Sequence, residues 1–299
     1  MNLLEFVAIA ASCLITTSAD PLCIEQAINP PIQVAGVSLA TPQRTGPAVD
    51  VVVTAEAALV WDVATGEILY DKNSRVRRPI ASLNKLLSVL IIRDTLSPES
   101  ILVIPDAAAK AQRAGADISL PINQHASVTD LLAATLIASA NDAAVTLAVG
   151  SSGSEEAFAR TANQYALQHG YRDTKTANAS GLSGGEQFST AYDVHLLLAD
   201  VYRDPLLQPF LASAGGELIT QEGAKRSYKS TNKLLDTYLP IRAAKTGYTV
   251  EAGENLAIIT PGSSGQLIGA VILGSESRFQ DMKILEEWIW RNYNWPATP

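Results

Sequence analysis

The chain has 299 residues, of which 47% are hydrophobic and 17% charged, and a formal net charge of −8. That is the makeup of an ordinary globular protein of one or two domains, with enough chain to bury a core. It excludes the basic stripe of a nucleic-acid-binding surface, although a local pair of cations would still receive an anionic ligand.

In chain order, residues 1–19 read as a signal peptide. Leu3 to Ala19 is mostly apolar and closes on Thr17-Ser18-Ala19, a small-x-small ending ahead of Asp20, although the n-region lacks Lys and Arg and holds Glu5. The protein is therefore expected outside the cytoplasm, in a periplasm or cell wall, touching a membrane only through an uncleaved leader. Cleavage would remove Cys13 and leave Cys23 alone, so no internal disulfide is expected. Residues 20–50 hold five prolines and little periodicity and read as a linker. A folded domain is expected over 51–295, with no second C-terminal β domain after it.

Within that domain the texture is β, then α, then β. Ala57 to Trp61 and Glu67 to Tyr70 flank Asp62-Val63-Ala64-Thr65-Gly66, the pattern of a hairpin. An apolar run from Leu83 to Ile92 predicts a buried helix, and Ile101 to Ile104 a short strand stopped by Pro105. Capping signals at Ser127–Asp130, Ser154–Glu156 and Thr190–Asp193 open helices, and a Gly-, Ser- and Asn-rich loop covers 171–188. β-like runs follow near 216–221, 241–248, 255–260 and 267–273, with a final helix over about 279–293. The expected fold is α/β in the α+β sense: an antiparallel sheet built from both chain ends, flanked by helices, with an inserted all-α subdomain. Trp288, Trp290 and Trp295 are expected to pack an aromatic face on the core rather than lie in a membrane interface.

The chemistry concentrates in three places. Ser82 and Lys85 stand three apart at the mouth of the buried helix, where one helical face brings hydroxyl and amine together. A lysine there is costly unless paired or neutral. Ser230 to Lys233 repeats the spacing, so Ser-x-x-Lys alone decides nothing. Ser139-Ala140-Asn141 closes the helix after the first capping box, and Lys245-Thr246-Gly247 lies on a late strand. His125, His169 and His195 fall in no triad or metal-ligand pattern and read as structural; no cofactor and no metal are expected.

Taken in this order, the three motifs are those of penicillin-binding proteins and class A β-lactamases. The chain resembles the low-molecular-weight penicillin-binding proteins, the serine D-alanyl-D-alanine carboxypeptidase family (peptidase family S11). The likeness runs through Pro79 to Lys85, Ser139 to Ala144, Gly153 to Phe158, Asn178-x-x-Gly181-Leu182, Ser189 to Asp193, Thr231-Asn232-x-Leu234-Leu235 and Lys245 to Thr249, and spans about residues 55–293. It implies a β-lactamase/transpeptidase-like fold and a penicillin-sensitive carboxypeptidase acting on peptidoglycan stem peptides, with β-lactam antibiotics as covalent inhibitors. A D,D-endopeptidase of cross-links is the nearest alternative, and a β-lactamase or a non-catalytic wall-binding protein lies further off. In that frame Ser82 is the nucleophile and Lys85 its base, for which the lysine pKa must fall from about 10.4 toward 7–8, a change worth about 4 kcal/mol. Ser139 relays a proton to the leaving amine, and Asn141 holds Lys85 and the substrate amide. The N–H groups of Ser82 and Tyr248 form the oxyanion hole, and Gly247 lets the strand come close. Lys245, Thr246 and Arg278 receive the terminal carboxylate. Asn84 and Ala140 replace the family's commoner threonine and glycine, and no Glu-x-x-Leu-Asn follows Asn141, so the deacylating glutamate of class A β-lactamases is missing.

Overall fold

A computed structural model of the chain describes residues 41–45, 51–237, 240–262 and 265–296. The expected leader and most of the expected linker lie outside these residues. Within the linker span, β1 (Gln43–Arg44) pairs antiparallel with β11 (Tyr293–Asn294) at the far end of the chain.

The hairpin strands β2 (Ala57–Asp62) and β3 (Ile68–Lys72) form as the alternation predicts, and the Asp62 carboxylate accepts from Thr65 N and Oγ1 to close the turn between them. A 3₁₀ turn over Ala81–Asn84 leads directly into α1 (Lys85–Thr95), and every residue from 85 to 92 is buried. Then come β4 (Ile101–Val103), α2 (Asp106–Ala111), β5 (His125–Ser127), α3 (Val128–Ile137), α4 (Asn141–Ser152), α5 (Glu155–Gln168), α6 (Ala191–Arg203) and α7 (Gln208–Leu211). The chain returns to β structure with β6 (Gly215–Ile219), β7 (Lys225–Lys229), β8 (Ala243–Thr249), β9 (Gly253–Pro261) and β10 (Leu267–Ser275), and closes with α8 (Arg278–Asn292).

The helix starts follow the capping chemistry. The hydroxyls of Ser127, Ser154 and Thr190 accept from the backbone N–H of Asp130, Ala157 and Asp193, satisfying donors that the first helical turn leaves unpaired. Asp193 does not complete a box, however. Its buried carboxylate instead accepts from Asp173 N and Thr174 Oγ1 and pins the start of the 171–188 loop to α6. Sequence patterning missed β7, because Lys-Arg-Ser-Tyr-Lys carries no apolar alternation and the strand forms by pairing with β6.

The central sheet has the order β3-β2-β10-β9-β8, antiparallel throughout. Strands from both chain ends therefore build one sheet, and β8 is its outermost strand on one side. One core lies between the sheet and the helical middle and includes Leu59, Trp61, Leu83, Leu87, Leu198 and Val271; the other lies under α8 and includes Val60, Ile258, Ile272, Met282 and Leu285. Trp288, Trp290 and Trp295 pack against this second core, and Trp295 Nε1 donates to Asp62 Oδ2 at 2.7 Å. No described helix is long and apolar enough to cross a membrane.

Within the α8 interface, Glu286 is 4% exposed and neither carboxylate oxygen makes a hydrogen bond of ordinary geometry. Burial pushes its carboxyl up to about 7, an effect that the nearby Thr260 hydroxyl and Lys283 offset only in part. A carboxyl whose folded-state pKa lies above its unfolded value contributes most below about pH 4.5, and that contribution is lost as pH rises through about 7. Glu286→Gln removes the ionisation. Its stability relative to wild type is expected to rise by up to about 3 kcal/mol between pH 5 and pH 8, read from urea melts at the two pH values.

Candidate active site

The site lies where three elements meet: the 3₁₀ turn leading into α1, the α3–α4 junction and the edge strand β8. Ser82 sits partly exposed on the turn, while Lys85, on the first residue of α1, is 0% exposed. The turn is tight. Ala81 has φ +50° and Ser139, at the α3–α4 junction, φ +58°, left-handed conformations that cost non-glycine residues roughly 1–3 kcal/mol each. Both flank the reactive groups.

Lys85 Nζ makes three contacts: Ser82 Oγ at 2.9 Å, Asn141 Oδ1 at 2.7 Å and the Ser180 carbonyl at 2.7 Å. Asn141 Oδ1 and the Ser180 carbonyl can only accept. A neutral amine has two N–H donors for these two acceptors and one lone pair, which then faces the Ser82 hydroxyl. Burial holds the Lys85 amine well below the usual lysine range. The cation of Lys245 adds to this, and the carboxylate of Asp142 opposes it. The geometry admits a neutral amine in contact with the Ser82 hydroxyl, and burial favours that form.

Lys245, 1% exposed on β8, donates to Ser139 Oγ at 2.8 Å and to the Thr246 carbonyl at 3.0 Å. Burial, assisted by the Arg278 guanidinium, lowers its amine to about 7. The neighbouring Thr246 hydroxyl lies 2.6 Å from the Thr231 hydroxyl. Arg278, at the start of α8, donates through Nη1 to the Gly247 carbonyl at 2.8 Å, and its buried Nε has no protein partner. Gly247 is pressed against the turn that carries Ser82. A Cβ there would fall 2.7 Å from Ile80 O and 3.1 Å from Ser82 N, so the β8 backbone runs beside the Ser82 amide only because the residue is glycine. Tyr248 follows on β8 with its side chain 60% exposed.

The fold therefore brings Ser82, Lys85 and Asn141 into direct contact, joins Ser139 to Lys245, and sets Thr246 and Arg278 around the same strand. The second Ser-x-x-Lys does not enter the site: Ser230 Oγ accepts from Asn232 N, and Lys233 is exposed. The histidines stand apart as well. His125 pairs with Glu222, His169 stacks on Tyr165 at 3.7 Å, and His195 packs between Trp61 and Tyr192. Among the described residues no cluster of three or more His, Cys, Asp or Glu could hold a metal ion.

Three partners escaped the sequence reading. The Ser180 carbonyl is backbone and has no signature of its own, and Thr231 lay inside a recognised stretch with no chemistry attached to it. Asp142 is fully buried and accepts from Leu120 N at 2.9 Å and Ala143 N at 3.0 Å; an acid next to Asn141 on an otherwise apolar helix was the available signal. Burial raises its carboxyl, and these hydrogen bonds hold it back in part.

A serine on the turn into a buried helix, in contact with a fully buried lysine and set against a Lys-Thr-Gly strand on an antiparallel sheet, defines an active-serine protein of the penicillin-binding class. A family model described as D-alanyl-D-alanine carboxypeptidase, peptidase family S11, matches residues 43–277, and the chain belongs to this family. Among curated relatives it is 31% identical over 201 residues to the D-alanyl-D-alanine carboxypeptidase DacF of Bacillus subtilis, which covers 66% of this chain and 52% of that protein. To the D-alanyl-D-alanine endopeptidase of Pseudomonas aeruginosa it is 29% identical over 258 residues, covering 85% of this chain and 83% of the relative. The chain thus spans about half the length of the Bacillus protein and most of the Pseudomonas one. Among solved structures, a D-alanyl-D-alanine carboxypeptidase from Mycobacterium tuberculosis superposes with a TM-score of 0.77 at 24% identity, covering 86% of this chain and 98% of the other. A mutant of the Streptomyces K15 DD-transpeptidase reaches 0.74 at 21% identity, covering 81% and 100%. These two are likenesses of fold.

Proposed function

We propose that the protein is a serine D-alanyl-D-alanine carboxypeptidase acting on peptidoglycan stem peptides outside the cytoplasm. The observation that carries this reading is the contact set of Lys85, whose two acceptors leave its lone pair for the Ser82 hydroxyl. Ser82 Oγ attacks the carbonyl of the penultimate D-alanine as its proton passes to Lys85 Nζ. The resulting oxyanion accepts from the N–H groups of Ser82 and Tyr248. Collapse breaks the C–N bond, and the leaving D-alanine takes its proton through Ser139, which Lys245 holds in place. Water then hydrolyses the acyl-enzyme. Lys245, Thr246 and Arg278 receive the carboxylate of the departing residue. Asn141 positions Lys85 and the substrate amide. A β-lactam ring offers the same amide to Ser82, so penicillins acylate the enzyme and inhibit it.

The test is covalent trapping. Labelled penicillin is expected to modify wild type at Ser82, mapped by peptide mass spectrometry, and to leave Ser82→Ala unlabelled. Labelling that persists in the variant would sink the assignment.

A second reading keeps the mechanism and changes the substrate to the D,D cross-link. Its support is that two relatives named D-alanyl-D-alanine endopeptidase are 29% and 28% identical to this chain. D-alanine release from a pentapeptide, set against cleavage of a cross-linked dimer, separates the two.

The lysines also set a pH profile. Activity needs Lys85 neutral and Lys245 charged, so kcat/KM is expected to be bell-shaped, with an alkaline limb near pH 7 from Lys245 in the free enzyme. A bound carboxylate stabilises the Lys245 cation and raises its pKa, so the alkaline limb of kcat should lie at higher pH than that of kcat/KM. Coincident limbs would argue that Lys245 does not meet the carboxylate.

A further inference from the structure

Three consecutive backbone carbonyls of the 171–188 loop turn toward the segment that carries Lys85, and each accepts from a different side chain of it. Asn84 Nδ2 donates to the Asn178 carbonyl at 2.9 Å, Ser88 Oγ to the Ala179 carbonyl at 2.8 Å, and Lys85 Nζ to the Ser180 carbonyl at 2.7 Å. The Ser88 hydroxyl has one proton, and this contact is shorter than its 3.4 Å approach to Asn84 O. The donors share a helical face, since Ser88 stands four residues after Asn84 and three after Lys85. All three residues are buried. Asn178 folds the loop into this shape, its Oδ1 accepting from Gly181 N at 2.8 Å and from Ser180 Oγ at 3.1 Å.

The number of acceptors around Lys85 bears on its charge. An ammonium has three N–H donors and a neutral amine two. Lys85 Nζ already meets Asn141 Oδ1 and the Ser180 carbonyl, so one more free carbonyl would supply the third acceptor and favour the charged form. The Asn178 and Ala179 carbonyls belong to the two residues just before Ser180 and face the same helix. Asn84 and Ser88 occupy them. Two charged groups also act on Lys85: Lys245 of β8 favours the neutral amine, and Asp142 of α4 the charged one. Both are held by other partners, Lys245 by Ser139 Oγ and Asp142 by Leu120 N, so neither depends on this loop segment.

We propose that Asn84 and Ser88 are positioning residues for the reaction: by occupying the Asn178 and Ala179 carbonyls they leave Lys85 a single carbonyl acceptor and keep its lone pair on the Ser82 hydroxyl. The inference rests on the serine–lysine reading above and deepens it by assigning two residues that act only through Lys85. It also gives Asn84 a task at a position where the family more often has threonine, because the longer amide side chain is what reaches the Asn178 carbonyl.

The test is the pH dependence of acylation by a labelled penicillin. Ser88→Ala frees the Ala179 carbonyl, so its acid limb should lie at higher pH than that of wild type. On that limb its rate should be lower by about three- to tenfold, the worth of one ordinary hydrogen bond. Ser88→Thr keeps the hydroxyl and should restore the wild-type limb. Asn84→Ala frees the Asn178 carbonyl and should move the limb the same way, which keeps the test open if Ser88→Ala does not fold. Asn163→Ala is the control for loosening the loop as such. Asn163 Nδ2 donates to the Thr176 carbonyl at 2.9 Å and its Oδ1 accepts from Thr176 N at 2.8 Å, so it anchors the same loop from α5 without holding any of the three carbonyls. This control should melt at lower temperature and keep the wild-type limb. Acid limbs of Ser88→Ala and Asn84→Ala that coincide with wild type, or a limb moved as far by Asn163→Ala, overturn the inference. A wild type that penicillin does not acylate overturns the active-serine reading, and the inference with it.

Discussion

Replacing Lys85 with alanine is expected to leave a folded protein whose acylation by a labelled penicillin is slower by about 10²- to 10⁴-fold, the range lost when a general base is removed. A serine hydroxyl near neutral pH is a weak nucleophile, and Lys85 Nζ is the basic atom in contact with it, at 2.9 Å. No histidine stands in reserve, because His125, His169 and His195 are all committed elsewhere. The Ser82 and Tyr248 amides are retained, so residual acylation above the solution rate should survive. The fold should also survive, since residues 86–92 of α1 keep their buried apolar surroundings. The variant does leave Asn141 Oδ1 and the Ser180 carbonyl without their donor, at roughly 1–3 kcal/mol each, partly recovered because no amine has to be desolvated. Stopped-flow acylation with circular dichroism on the same sample reads both effects. Acylation at the wild-type rate would remove Lys85 from the mechanism.

Gly181→Ala is expected to cost about 2–4 kcal/mol and to slow acylation more than tenfold even where the protein is still folded. Gly181 has φ +77°, and a Cβ on it would fall 2.0 Å from Ala81 O and 2.6 Å from Ala81 C. The obstruction is backbone, and Ala81 is itself held at φ +50°, so neither side can give way cheaply. The loop must therefore withdraw from the nucleophile turn, taking with it the adjoining Ser180 carbonyl that holds Lys85. Gly66→Ala is the control. Gly66 has nearly the same φ, +75°, but nothing lies within 4 Å of its added Cβ, so only the conformational cost of about 1–2 kcal/mol applies and acylation is unchanged. Thermal or urea melts of both variants, with penicillin acylation rates, decide the matter. Gly181→Ala as mild as Gly66→Ala would mean that the loop does not brace the turn.

The two predictions draw on different kinds of information. Lys85 was legible in the sequence as a charge at the mouth of an apolar helix, costly there unless paired or neutral. The sheet was legible as well, because strands such as β9 and β10 carry long apolar runs and β2 and β3 flank a recognisable turn. Gly181 was visible only as part of a resemblance. Its reason for being glycine is a contact with Ala81, a hundred residues earlier in the chain, and no local pattern encodes that distance. β7 and Asp193 show the same limit: the strand is polar and exists by pairing with β6, and the capping acid turns to a loop that approaches from elsewhere.

Sequence alone determined what depends on neighbours along the chain: helix starts, the hairpin, the buried character of α1, the Ser82–Lys85 pairing on one face, and the three motifs in order. Tertiary structure alone decided what depends on partners distant in sequence. It aimed the Lys85 lone pair by supplying acceptors from Asn141 and Ser180, and lowered Lys245 to about 7 by burying it beside Arg278. It also brought Gly247 against the Ser82 backbone. The physical reason is that hydrogen-bond direction and charge interaction fall off over a few ångströms, and only the folded chain sets which groups lie within that range.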